Sequence, residues 1–233
     1  DPSEIAARGA RILLWGHSHG GNVFALMSHL LGSEPAVVDQ FFSAARVYYS
    51  WPVVGCVDVP VWMRVRQALA QEKDRFRNRP LDLVTFGTPI RYGWHTGGYS
   101  RLLHFVYHRP SQGLPAHRAP FPPEPDRVLR GADGDYIQHW GIAGTNSPPS
   151  WFSWRAWWAE TRLGNLLQRD LGPSQLVDRW RAGARVAEAG ATLLVDYGLP
   201  TGSVVEHLAG HAVYTRREWL LFHAEETVRR FYG

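Results

Sequence analysis

The sequence predicts an α/β protein with a mainly parallel sheet and flanking helices. Four short apolar segments alternate with longer segments of helical character, which is the pattern of βαβ units. The first of these segments lacks the alternation of a half-exposed strand, as expected for a parallel strand buried on both faces. The predicted strands cover residues 10–15, 81–89, 101–108 and 191–197.

Helices are predicted where apolar residues recur with helical spacing or where residues typical of helix ends occur. The last helix is predicted to begin near Arg216, because Thr215 and Glu218 form the T-x-x-E pattern of a capping box. The other predicted helices cover 21–31, the first part of 36–50, 60–78, part of 151–171 and 174–188.

Composition fits one globular domain over residues 1–233. The chain is 45% hydrophobic and 20% charged, which suits a single domain with a sizeable core. Cys56 is the only cysteine, so no intrachain disulfide can form, and no signal-peptide pattern is visible. A cytoplasmic location is therefore favoured. No apolar run of about 18 residues predicts a transmembrane helix.

Charge and histidine spacing exclude several kinds of partner. The 25 basic residues are mixed with 21 acidic residues and form no long block of like charge, so we expect no nucleic-acid partner. His17 and His19 form an H-x-H pair, but no third ligand is indicated nearby, and no metal site is predicted. No cofactor is expected.

A G-x-S-x-G pattern joins the first strand to the first helix. In such a turn the serine lies at the carboxyl edge of the sheet with a strained backbone, and small residues are needed two positions to either side. Gly16 and Gly20 supply them. The backbone N–H of His19 and the helix N-terminus then face an oxyanion. Ser18 is predicted to be a nucleophile, and a purely structural turn is the alternative.

A serine nucleophile needs a base. His17 and His19 are adjacent to Ser18, and their side chains diverge from its hydroxyl. His211 lies in the loop between the fourth strand and the last helix, from which it can reach the sheet edge, and it is the predicted base. His207, in the same loop, is the weaker choice, and a histidine farther along, His223, is expected to pack within the last helix.

The acid that orients the base is left open between two aspartates. Asp135 is preferred because the order strand, acid, strand, histidine suits a Ser, Asp, His sequence of triad residues. Asp196, at the end of the fourth strand, is the alternative. Asp133 lies two residues from Asp135 and stays in consideration, whereas Asp58 precedes the second strand and is less well placed.

These motifs resemble the α/β-hydrolase superfamily, and within it the lipases and esterases. GHSHGG at 16–21 is similar to the group's G-H-S-x-G-G turn, and VTFGTP at 84–89 is similar to its T-F-G-x-P stretch. GDYIQ at 134–138 is similar to the acid loop, and GHAVYT at 210–215 occupies the place of the histidine loop. The resemblance spans most of residues 10–232. It implies a serine hydrolase that cleaves carboxylic esters, of small molecules or lipids, through an acyl-enzyme intermediate.

The sequence departs from the family in two ways. The family's fold places several strands, and a loop with a second oxyanion donor, before the serine turn. Few residues precede the serine turn here, so either this chain is the C-terminal part of such a fold or the fold is drastically reduced. A fragment is favoured, because a sheet that begins at residues 10–15 would leave a long apolar edge unpaired.

The second departure is an insertion at 110–190 whose tryptophans, at 151–158, suggest a lid or an apolar substrate wall; a helix packed on the core is the alternative. Peripheral membrane contact fits the same residues. A non-catalytic hydrolase-like domain that binds a ligand, a partner or a lipid surface remains the alternative function.

Overall fold

The computed structural model describes residues 11–49, 59–77, 79–142, 162–164, 166–167 and 173–233. Strands and helices alternate along the chain, as the apolar pattern predicts. The strands are β1 (Ile12–His17), β2 (Leu81–Phe86), β3 (Arg101–Tyr107) and β4 (Ala191–Val195).

Helices connect these strands and follow the last one. Among the described residues, helices connect β1 to β2 and β3 to β4. The helices are α1 (His19–Gly32), α2 (Pro35–Tyr49), α3 (Val59–Arg77), α4 (Pro125–Leu129), α5 (Tyr136–Gly141), α6 (Pro173–Arg181), α7 (Val204–His207) and α8 (Arg217–Tyr232). Among the described helices, none combines the length and the apolar character needed to cross a membrane.

The four strands form one parallel sheet in the order β1-β2-β3-β4. The register pairs Gly16 with Thr85, Thr85 with His104, and His104 with Thr192. Because the strands all run in one direction, their carboxyl ends lie along the same edge. The predicted α/β class with a parallel sheet and flanking helices is confirmed.

Two layers of apolar side chains cover the sheet. Phe86 and Phe105 stack with ring centroids 5.0 Å apart, and Phe231 of α8 belongs to the same buried cluster. Residues an odd number of positions from Phe86 along β2 point to the opposite face of the sheet. There Leu83 of β2 packs with Leu31 of α1. The sheet therefore lies between α8 on one face and α1 on the other.

β1 is an edge strand in the part of the chain that the structure describes. It pairs with β2 alone, and Leu13 and Trp15 are 39% and 40% exposed. The Trp15 ring lies 5.2 Å from Phe86, centroid to centroid. The expectation that the first strand is buried on both faces is therefore wrong within the described residues, because the face that carries Leu13 and Trp15 is accessible to solvent.

Two predictions about helix ends are wrong. Thr215 does not cap α8, because its hydroxyl donates to the Ala212 carbonyl at 3.0 Å and Arg216 occupies the N-cap position without a side-chain bond. The helix predicted at 174–188 ends at Arg181. Gly183 follows with φ of +64°, a left-handed backbone that cannot continue the helix. The tryptophan-rich stretch 151–158 lies outside the described residues.

A buried carboxylate ties the ends of the described chain together. Asp82, at the start of β2, accepts hydrogen bonds from Arg11 Nε at 2.8 Å and Nη2 at 2.9 Å. The Tyr232 hydroxyl of α8 donates to it at 2.8 Å. Burial alone would raise the pKa of Asp82, but the hydrogen bonds from Arg11 and Tyr232 lower it overall.

We expect Asp82→Asn to lower the free energy of unfolding by about 2 kcal/mol, because it weakens charge-assisted hydrogen bonds to a buried group. The pKa of Asp82 is lowered in the folded state. Its contribution is therefore present above the unfolded-chain pKa of about 3.9, and it disappears as pH falls through the folded pKa. Urea titrations at neutral and acidic pH measure both effects.

Asp39→Asn is the matched control for this experiment. Asp39 pairs with Arg66 at 2.6 Å, but their side chains are 60% and 56% exposed, so its loss changes stability by about 0.5 kcal/mol or less. Equal destabilisation by both substitutions would contradict a special contribution from Asp82.

Candidate active site

Ser18 lies at the tight turn between β1 and α1. Its backbone has φ of 55° and ψ of −130°, a combination that residues other than glycine rarely adopt. Three hydrogen bonds hold it. The Ser18 N–H donates to the Phe86 carbonyl at 2.8 Å, while its own carbonyl accepts from Thr88 Oγ1 at 2.9 Å and from the Gly21 N–H at 3.1 Å. The strained turn is thus fixed by β2 and the loop after it.

Close packing around the turn requires two glycines. A Cβ at Gly16 would lie 2.7 Å from Phe24 Cε2 and 3.1 Å from the Gly20 carbonyl carbon. A Cβ at Gly21 would overlap the Thr88 side chain. At Gly20 no atom of the described residues lies within 4 Å of the corresponding position. The expectation that Gly20 is needed for close approach is wrong, and Gly21 takes that place.

His211 and Asp135 form a buried pair. His211 Nδ1 lies 2.7 Å from Asp135 Oδ2, and the two side chains are 5% and 0% exposed. The other oxygen, Oδ1, accepts from the backbone N–H of Gln138 at 2.9 Å. An ionised carboxylate only accepts, so Nδ1 carries the proton. Nε2 of His211 is buried and forms no hydrogen bond with the described residues.

His17 joins this pair to the serine turn. Its ring lies 4.5 Å from the His211 ring, centroid to centroid. Its Nε2–H donates to the His211 carbonyl at 3.1 Å. Burial, and then the nearby charge of His211, lower the pKa of His17, which favours the neutral donor form. Because His17 directly precedes Ser18, this contact brings the His211 segment next to the serine.

Three residues with left-handed backbone conformations directly precede His211. α7 begins with a capping box in which Ser203 N–H donates to Glu206 Oε2 at 2.6 Å and Glu206 N–H donates to Ser203 Oγ at 3.4 Å. After it, Leu208, Ala209 and Gly210 have φ of 46°, 51° and 90°. These backbone conformations are strained for Leu208 and Ala209, so tertiary packing must hold them.

Asp196 lies elsewhere. Its side chain is 49% exposed, and Oδ1 is 3.1 Å from Arg109 Nε. The same oxygen accepts from the Gly198 N–H at 2.8 Å, closing a turn at the end of β4. The structure therefore brings Asp135, and not Asp196, to His211.

Asp133, a further candidate for the acid, lies apart from His211. Asp133 is buried and accepts from Arg127 Nε at 3.0 Å, from Tyr136 Oη at 2.7 Å and from Ser111 Oγ at 2.8 Å. It is saturated by partners of its own. Asp58 lies outside the described residues.

The other histidines make separate contacts. His207 is buried, and its Nδ1 accepts from the Gly210 N–H at 3.4 Å. His223 packs inside α8 as expected, with Nε2 2.7 Å from Tyr197 Oη, and burial lowers its pKa to about 4. His19 is exposed and opens α1, so its backbone N–H lies at the positive end of the helix dipole.

Gly87 and Tyr214 enclose the Asp135 carboxylate. Gly87 follows β2 with φ of +55°, and a Cβ there would lie 2.6 Å from Asp135 Oδ2 and 2.5 Å from the Tyr214 ring. The Tyr214 hydroxyl accepts from the Tyr107 N–H at 2.7 Å. Burial raises the pKa of Tyr214 far above its usual value, which keeps it neutral beside Asp135.

Comparisons with known protein families, with curated proteins and with solved structures find no match to this chain. Within the described residues, no group of three or more histidine, cysteine, aspartate or glutamate side chains could hold a metal ion.

Two neighbouring glycines of α1 should respond oppositely to alanine. Gly21→Ala forces a Cβ into Thr88, and we expect it to lower the free energy of unfolding by about 1–3 kcal/mol. Gly20→Ala meets open space in a helix, and we expect it to raise stability by up to about 1 kcal/mol. Urea unfolding of both variants measures the difference. Changes of the same sign and size would contradict the packing described for the turn.

Proposed function

We propose that this protein is a serine hydrolase that cleaves carboxylic esters. The observation that carries the proposal is the buried hydrogen bond between His211 and Asp135, beside the strained turn of Ser18. This bond leaves Nε2 of His211 as the basic nitrogen. A buried nitrogen that makes no hydrogen bond within the described residues suits a group that exchanges protons with a substrate.

The chemistry follows from these positions. Ser18 Oγ attacks the acyl carbonyl carbon while His211 Nε2 accepts the hydroxyl proton. The resulting oxyanion is stabilised by the His19 N–H and the positive end of α1. Asp135 holds the ring in the tautomer with the proton on Nδ1 and stabilises the imidazolium.

The second half of the reaction releases the products. His211 gives its proton to the alkoxide oxygen of the leaving alcohol, and the C–O bond breaks to leave an acyl ester on Ser18. Water then attacks this ester with His211 as base. The carboxylic acid departs, and the serine regains its proton.

We also propose an α/β-hydrolase fold of the lipase and esterase group. The sequential parallel strands support it, since the serine follows β1, the acid follows β3 and the histidine follows β4. That chain order of nucleophile, acid and base is the order typical of this superfamily.

Exposed apolar side chains on the segments around His211 and Asp135 support an apolar acyl substrate. Val205 of α7 is 80% exposed and Leu199 is 60% exposed. Leu129 of α4 and Leu208 are also exposed. The same side chains support the second candidate, a non-catalytic domain that binds a lipid surface. Vesicle binding that persists in Ser18→Ala, together with no hydrolysis by the parent protein, would favour this alternative.

Ser18→Ala should abolish labelling by a fluorophosphonate probe and lower ester hydrolysis by about 10⁴-fold or more, because it removes the hydroxyl that forms the acyl-enzyme. A panel of p-nitrophenyl esters of increasing chain length provides the rates. Ser43→Ala, at an exposed position of α2, is the control and should label like the parent. Labelling that survives in Ser18→Ala would overturn the proposal.

The two aspartates give a sharper comparison. Asp135→Asn should lower kcat by about 10⁴-fold, because an amide at this position favours the wrong tautomer of His211. Asp196→Asn should keep nearly the parent rate, since Asp196 contacts Arg109 at the surface. Circular dichroism verifies that both variants are folded. Loss of activity in Asp196→Asn alone would show that the acid is assigned to the wrong residue.

A further inference from the structure

Arg185 is a buried arginine behind the proposed triad. Its side chain is among the largest fully buried ones, and the residue is 1% exposed. Nη1 donates to the carbonyl of Tyr107, the last residue of β3, at 2.8 Å. A buried guanidinium is unfavourable unless hydrogen bonds and negative charge compensate for the hydration that it loses. The groups around Arg185 must therefore supply this compensation.

The guanidinium contacts the chain on both sides of Asp135. The Tyr107 carbonyl that binds Arg185 also accepts from the Asp135 N–H at 3.1 Å. The guanidinium carbon lies 5.1 Å from the centre of the Tyr136 ring. A Cβ at Gly134 would overlap Nη1. Arg185 therefore packs against both neighbours of Asp135 and shares a hydrogen-bond acceptor with its backbone.

The charges around Arg185 point to the same partner. Burial lowers the pKa of Arg185, and the nearby negative charge of Asp135 opposes this effect most strongly. Asp133 contributes less and already has Arg127 as an ion-pair partner. The hydrogen bonds to the Asp135 carboxylate come from a backbone N–H and from His211. Arg185 thus supplies fixed positive charge near a carboxylate whose direct donors have none.

We propose that Arg185 is a positioning residue of this site, which fixes the Asp135 segment and favours the ionised form of Asp135. The proposal rests on the proposed hydrolase function. An ionised Asp135 accepts from Nδ1 and leaves Nε2 of His211 basic, whereas a protonated Asp135 would donate to Nδ1 and reverse the tautomer.

Removing the positive charge of Arg185 should move the acidic limb of the pH–activity profile to higher pH. Without Arg185, ionisation of Asp135 becomes less favourable and protonation of His211 becomes more favourable. Both changes shift the loss of activity to higher pH. The two effects reinforce each other, so the direction does not depend on which of them is larger.

Other titratable groups face Asp135 and Arg185, and most of them are held in the neutral form. Burial lowers the pKa of His108 to about 4 and also lowers the pKa of His139 and His17. Buried tyrosines with raised pKa values stay neutral there. The groups facing Asp135 or Arg185 are His17, Tyr107, His108, Asp133, Tyr136, His139, His211 and Tyr214.

The test compares Arg185→Met, which keeps much of the side-chain length without charge, with Arg185→Lys, which keeps the charge. In Arg185→Met, we expect the acidic limb of kcat/KM to move up by about one pH unit, which lowers the rate at a fixed pH on that limb by at most about 10-fold. Arg185→Lys should restore much of the limb position. A folded Arg185→Met protein with an unshifted limb would overturn the proposal, whatever its rate.

A second measurement separates this proposal from the proposed function. The titration of His211 is followed by NMR in the Ser18→Ala background, with and without Arg185→Met. The titration should move to higher pH without Arg185, even if the protein hydrolyses no ester. Absence of Ser18-dependent probe labelling in the parent would refute the hydrolase function, whereas an unchanged His211 titration would refute the role of Arg185.

The same titration also covers a variant that does not fold. If Arg185→Met fails to fold, Arg185→Gln and Arg185→Lys replace it in the NMR experiment. The Gln variant should titrate at higher pH than the Lys variant, and equal titrations would overturn the proposal.

Discussion

The parallel alignment of four strands decides where each group of the site lies. Because every strand runs in the same direction, each connection that leaves a strand starts at one edge of the sheet. Ser18 follows β1, Gly87 follows β2, and the Asp135 backbone bonds to the last residue of β3. The loop after β4 then returns His211 to this edge. Residues far apart in the chain therefore meet at this edge because they follow neighbouring parallel strands.

Close packing accompanies the hydrogen bonds at this edge of the sheet. Glycines at 16, 21 and 87 let backbone and side chains approach within distances that a Cβ would prevent. The backbone strain at Ser18 is held by hydrogen bonds to β2 and to Thr88. The strained residues Leu208 and Ala209 lie between the capped helix α7 and His211. Strained positions of this kind persist only where the surrounding structure overdetermines them.

Local patterns in the sequence were sufficient for the four strands, the parallel class and the serine turn, since these depend on short-range periodicity and glycine spacing. They also brought forward Asp135 and His211, which the structure joins by a hydrogen bond. Asp196 could not be separated from Asp135 by sequence, because the choice depends on which loop folds back over β2. The T-x-x-E pattern at Thr215 failed since its hydroxyl bonds backwards to Ala212.

Arg185 and His17 lay beyond the reach of such patterns for a physical reason. Arg185 lies in the stretch 174–188 that the sequence predicts to be helical, where an arginine is ordinarily solvated, and its burial follows only from tertiary contact with Tyr107 and Tyr136. His17 is not expected to act as the base, because adjacent side chains diverge from the serine hydroxyl. That divergence is what lets it reach the backbone of His211.

The structure restricts which residues can replace Gly87 during evolution. It combines a left-handed backbone with a neighbouring carboxylate and tyrosine ring that leave no space for a methyl group. Any codon change that replaces this glycine would add atoms beside Asp135 and strain the backbone as well. A position that performs no chemistry is thus restricted to glycine by the space and the backbone conformation around it.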